Sequence, residues 1–133
     1  MLYPVFLMVL LTFVVGFITV KVRFASVKKG DVSAKYFKLM DGENVPKIVT
    51  KTSRNFNNQF EVPVLFYVVC CLFISLQIES EIAVIFAWLF VVSRIVHSYI
   101  HLTYNYIIHR MLSFWAGLMF VLGLWITLFI HQI

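Results

Sequence analysis

Four stretches of this chain, residues 2–20, 60–76, 82–102 and 111–130, are long runs of apolar residues with almost no charge. Each approaches the ~20 residues that carry an α-helix across ~30 Å of hydrocarbon. A segment in lipid must satisfy its own backbone hydrogen bonds, and continuous rather than alternating apolar character makes these segments helices. Only 13% of the 133 residues are charged, against the ~25% of a soluble domain. A water-soluble fold is therefore excluded. The expected architecture is an all-α membrane protein, one domain over residues 1–133. Its four transmembrane helices form an up-down bundle, because the connections between the second, third and fourth spans are short.

Residues 2–20 read as a retained helix. No Lys or Arg precedes them, they exceed an ordinary signal-peptide core, and no small-residue cleavage site follows. Nine of the eleven Lys and Arg residues lie between Lys21 and Arg54, and the turn "QIESE" between the second and third spans carries Glu79 and Glu81 but no base. The positive-inside rule then puts the long first loop and the turn holding His109 and Arg110 in the cytoplasm, with both termini opposite. A multi-pass protein of a bacterial inner membrane is the expectation. The basic loop reads as a topology signal attracted to anionic headgroups. No nucleic-acid module accompanies the charge, so no nucleic-acid partner is expected.

Within the loop, Gly30-Asp31 and Asp41-Gly42 are turn signals around a short predicted helix, residues 33–40. Ser53, Thr50 and Thr52 are candidate caps for the second helix. Adjacent Cys70 and Cys71 point in different directions on a helix and lack C-x-x-C spacing, so they read as apolar filler. The aromatics of the last two spans, Trp88, Phe90, Trp115 and Trp125 among them, read as packing and lipid-facing residues.

The stretch "SRNFNNQFEVPVLFYVV" opens the second span with groups that lipid penalises. Arg54, Asn58 and Glu61 stand at i, i+4 and i+7, within an arc of roughly 60° on one helix face. The third span answers with Arg94, Ser98, His101 and Asn105, flanked by His97 and Tyr104. Counting along ideal helices puts Arg94 about 15 Å and Glu61 about 13 Å from the same end. An unpaired charge at that depth costs on the order of 2.5–3.5 kcal/mol. One reading is a buried Glu61–Arg94 ion pair locking two helices. The other is a polar cleft for a small ligand carrying carboxylates and an amine, since arginine takes carboxylates bidentately and Glu61 accepts from an ammonium.

The spacing R-x-x-x-N-x-x-E in "RNFNNQFE" resembles that of the membrane-associated proteins in eicosanoid and glutathione metabolism, the MAPEG superfamily. Nearly the whole chain shares the resemblance, through its length, four spans, basic first loop and polar third helix. The resemblance implies that glutathione is the co-substrate and that Arg54, Asn58, Glu61 and Arg94 contact it. Arg110 resembles the arginine that stabilises the glutathione thiolate, and Arg23 a helix-one arginine facing the same site. It also implies a homotrimer with clefts between subunits, and a lipophilic small-molecule substrate entering from the membrane lipids. His97 and His101 stand where relatives carry tyrosines that contact the tripeptide. Tyr106 replaces a further basic residue, and Met111 replaces a serine.

The leading functional expectation is a glutathione-dependent transferase or peroxidase acting on lipophilic electrophiles. The alternative is a non-catalytic lipid- or glutathione-binding scaffold of the same fold. Metal chemistry through His97, His101 and Glu61 rests on a weak i, i+4 signal, and no metal is expected. Small multidrug transport ranks last, because the first span has no acidic residue for proton coupling.

Overall fold

The computed structural model describes residues 1–42 and 44–132. These form the helices α1 (Leu2–Lys29), α2 (Tyr36–Leu39), α3 (Lys47–Asn57), α4 (Val62–Ser75), α5 (Glu81–Leu102) and α6 (Ile107–Gln132). A single 3-10 turn, Asn58–Phe60, joins α3 to α4. Counting α3, this turn and α4 as one element, four helices are long and apolar enough to cross a membrane. The protein is an integral, multi-pass, all-helical membrane protein.

The first two spans are longer than their apolar runs. α1 has 28 residues, about 42 Å at 1.5 Å per residue, so it carries Lys21, Arg23, Lys28 and Lys29 past the hydrocarbon. It stops at Gly30, whose φ of 78° is left-handed and whose N–H caps the carbonyls of Ser26 and Val27. The predicted short helix survives as α2. The second span begins at Lys47 rather than residue 60, because α3 is amphipathic and hydropathy finds only its apolar continuation. α3 packs Val49, Thr52, Ser53 and Asn55 inward, and Thr19 Oγ1 on α1 donates to the Thr52 carbonyl at 3.1 Å. The cap is consequently not Ser53, Thr50 or Thr52, all of which lie inside α3; Pro46 holds that position without a side-chain bond. The third span does have an ordinary cap: Ser80 Oγ accepts from the Ala83 N–H at 3.3 Å.

Pro63 explains the interruption of the second span. It lacks an N–H, and in a straight helix its ring would crowd the carbonyl four residues back, that of Gln59. The chain tightens into the 3-10 turn over Asn58–Phe60, and Glu61 takes a non-helical conformation with ψ −103° at the start of α4. Arg54, Asn58 and Glu61 thus do not share one unbroken helix, as their spacing suggests.

The interior has two zones. Around the α4–α5 turn the core is apolar: Phe66 of α4 stacks on Phe90 of α5, centroids 4.4 Å apart, with Ala83, Ala87, Leu124 and Leu128 buried nearby. Toward the α5–α6 turn the buried residues become polar, with Asn55, Gln59, Arg94, His97, Ser98 and His101 all 3% exposed or less. Gly117 on α6 permits close approach to α5, since a Cβ there would meet Ser93 Oγ at 2.9 Å. Cys70 is buried, as expected of apolar filler, whereas Cys71 is exposed on the outer face.

Candidate functional site

A cleft of about 440 Å³ opens at the polar end of the bundle, between the α3–α4 junction, α5 and the start of α6. Its wall includes Arg54, Asn58, Glu61, His97, His101 and Arg110, which are six of the eight residues singled out from sequence. The break at Asn58–Glu61 does the positioning: it turns the polar groups of the second span into the cleft while α4 continues as an apolar helix.

Arg94 lies behind this wall, fully buried. Its Nη2 donates to the main-chain carbonyl of Asn58 at 2.8 Å, and its guanidinium carbon sits 5.9 Å from the centroid of the Phe114 ring. Nε and Nη1 have no hydrogen-bond partner among the described residues. The Glu61–Arg94 lock therefore does not form within the chain. The junction gives Arg94 a carbonyl at short range and leaves Glu61 exposed toward the cleft.

His97 is fixed from both sides. Its Nδ1 lies 3.1 Å from the Arg110 carbonyl, which only accepts, so Nδ1 carries the proton and donates. The other nitrogen, Nε2, is then an acceptor, facing the Asn58 amide nitrogen at 3.4 Å. A continuous path results: Arg94 holds the Asn58 backbone, Asn58 holds His97, and His97 holds the first turn of α6, on which Arg110 stands. His101, 2% exposed, packs edge-on to His97 at 5.8 Å between centroids, and its Nδ1 lacks a partner among the described residues. Among the described residues no three His, Cys, Asp or Glu side chains are grouped to hold a metal ion.

Arg110 is held by a residue that helical spacing misplaced. Helical spacing sets Asn105 on the third-span stripe, but α5 ends at Leu102 and Asn105 occupies the following turn with φ 50°. From there its Oδ1 accepts from Arg110 Nη1 at 2.8 Å. Left-handed conformation is more accessible to Asn than to most residues, a signal legible only once the helix end is known.

Arg23 is not at the cleft within the chain. α1 packs against α3, where Arg23 Nη2 donates to Ser53 Oγ at 3.1 Å and the guanidinium lies over Phe37, 5.4 Å from its centroid. Sequence reasoning also missed the apolar side of the cleft, Ile107, Met111 and Phe114, together with Asn57. In sequence the three apolar residues are indistinguishable from their neighbours in an apolar segment. The arrangement presents two guanidiniums, one carboxylate and two amides beside an apolar wall, a set suited to an amphipathic acid that also carries an amine.

Comparison with known proteins places the chain in a family. No curated protein and no solved structure matches the chain. The model of the MAPEG family matches residues 1–130 of the 133, and the chain belongs to that family.

Proposed function

We propose that the protein is a glutathione-dependent transferase or peroxidase acting on lipophilic electrophiles, with the thiol held in the cleft. The observation that carries this reading is the convergence of Arg54, Asn58, Glu61 and Arg110 on one hollow with an apolar side. Glutathione offers two carboxylates, an ammonium and a thiol. Arg54 takes a carboxylate bidentately, Glu61 takes the ammonium, and Asn58 supplies an amide to the peptide backbone. Arg110 faces the sulfur. A thiol ordinarily ionises near pH 8.5, and an adjacent cation favours the thiolate at neutral pH; arginine does this without losing its own proton.

In the transferase reaction the thiol proton leaves to water, the sulfur electron pair forms an S–C bond to the electrophile, and the displaced pair departs on the electrophile's leaving atom. In the peroxidase reaction the sulfur pair forms an S–O bond as the O–O bond breaks, the lipid alkoxide takes up a proton, and a second glutathione displaces water from that S–OH to give the disulfide. Ile107, Met111 and Phe114 provide the apolar approach for a substrate delivered from lipid. The reading extends to a single-domain subunit of a homotrimer in a bacterial inner membrane, with the cleft facing the cytoplasm. In such an assembly α1 of a neighbouring copy can bring Arg23 to the cleft.

Calorimetric titration of glutathione into detergent-purified protein tests the proposal. Wild type is expected to bind, Arg54→Ala and Glu61→Ala to lose binding, and Arg110→Ala to bind while losing turnover. Binding that survives in all three variants with turnover absent even from wild type would identify a binding scaffold at some other site. Absence of any wild-type binding sinks the glutathione reading.

A further inference from the structure

Beyond Arg54 and Arg110 a second hollow of about 400 Å³ opens between the start of α3 and the α5–α6 turn. Lys47, Lys51, Arg54 and Arg110 line it, and among the described residues no carboxylate does. Among the described residues, what neutralises these cations is weak. Lys51 Nζ donates to the Thr103 carbonyl at 2.7 Å, and Arg110 Nη1 to the neutral amide of Asn105. His101 lines the same hollow, 2% exposed, with its Nδ1 unpartnered among the described residues. α3 starts here without a side-chain cap and without an acidic residue in its first turn, so the partial positive charge of the helix end adds to the field.

The hollow differs chemically from the cleft next to it. The cleft contains Glu61 and so accommodates an ammonium; the described residues lining the hollow bring cations and neutral groups. Its complement is a compact group with several acceptor oxygens and no cationic part facing inward. Lysines serve as point-charge ligands for phosphate, and arginines bind it through paired N–H groups. The hollow sits just past the last turn of α5, at the membrane surface, where basic pockets between transmembrane helices bind phosphorylated headgroups.

We propose that this hollow is a phosphate-binding subsite, with Lys47 and Lys51 as its own ligands and Arg54 and Arg110 shared with the cleft. The occupant is a phosphate group, borne by an anionic phospholipid or free in solution. The subsite stands whether or not the cleft takes a thiol.

Two probes separate the sources. The first uses the full chain in phosphatidylcholine bilayers, with spin-labelled phosphatidylglycerol compared with spin-labelled phosphatidylcholine by electron paramagnetic resonance. The second uses the chain in a phosphorus-free maltoside detergent, with inorganic phosphate titrated and followed by phosphorus NMR line broadening. If a headgroup is the occupant, wild type selects phosphatidylglycerol, and Lys47→Gln/Lys51→Gln cuts that selectivity by about fivefold or more at low salt, a surface lysine contributing roughly that much. A Lys28→Gln/Lys29→Gln control, at the end of α1 outside the hollow, keeps it. If free phosphate is the occupant, broadening saturates in wild type and is lost in the Lys47/Lys51 double variant, with no lipid selectivity to lose. The proposal is overturned if neither probe distinguishes that variant from wild type, or if the Lys28/Lys29 control loses as much, which would reduce the effect to the general charge of the loop.

Discussion

Asn105 Oδ1 accepts from Arg110 Nη1 at 2.8 Å from a backbone with φ 50°. One residue thus closes the α5–α6 turn and fixes the side chain placed nearest the proposed thiolate. The two duties can be separated by substitution. Asn105→Gly keeps the left-handed turn and removes the acceptor, so the thermal midpoint should stay near wild type while turnover falls several-fold. Asn105→Ala also strains the turn, at about 1 kcal/mol or more, and should lower both. Equal turnover in Asn105→Gly and wild type would show that Arg110 needs no holder.

Arg94 is the largest fully buried side chain, and its single bond supports the Asn58 carbonyl. Arg94→Ala leaves that carbonyl unpaired and opens a void. We expect a loss of about 2–4 kcal/mol in stability, read as a lowered detergent melting temperature, with glutathione affinity reduced because Asn58 and His97 lose their anchor. Wild-type melting would mean that the carbonyl finds another donor.

Pro63 breaks the second span where Glu61 must face the cleft. Pro63 stands in the first turn of α4, where proline is tolerated; Pro63→Ala restores a backbone donor and removes the ring that bars a straight helix through Gln59. The expected result is unchanged or raised stability together with weaker glutathione binding, because a straight helix moves Glu61 relative to Arg54. Unaltered affinity would remove the break from the account of the site.

Gly117 lets α6 approach α5 beside Arg94, with Ser93 Oγ only 2.9 Å from where a Cβ would stand. Gly117→Val should cost about 1–3 kcal/mol through overpacking and displace the α6 turn bearing Arg110. Gly117→Ala should cost less, since Ser93 can rotate at the loss of its 2.6 Å bond to the Phe90 carbonyl. Melting temperatures ordered wild type, Ala, Val would support close packing; a Val variant as stable as wild type would contradict it.

Class, span number and most cleft residues were determined by the sequence alone. Apolar runs of membrane length allow little but helices, and Arg54, Asn58, Glu61, His97, His101 and Arg110 are conspicuous because charge and amide are costly in lipid. Those signals are local: they depend on residue type and on spacing within one segment. Only the tertiary structure decided which groups meet. Ideal helical counting pairs Glu61 with Arg94 at equal depth, but the second span breaks at Asn58–Glu61 and gives Arg94 the Asn58 carbonyl instead. The same counting put Asn105 on the α5 stripe, whereas the helix ends at Leu102 and frees Asn105 to hold Arg110. Arg23 went to Ser53 and Phe37 because α1 packs on α3, a long-range contact that no period along the chain encodes. The apolar wall of Ile107, Met111 and Phe114 was hidden for the opposite reason: in a span where nearly every residue is apolar, only packing distinguishes those that line a site from those that face lipid.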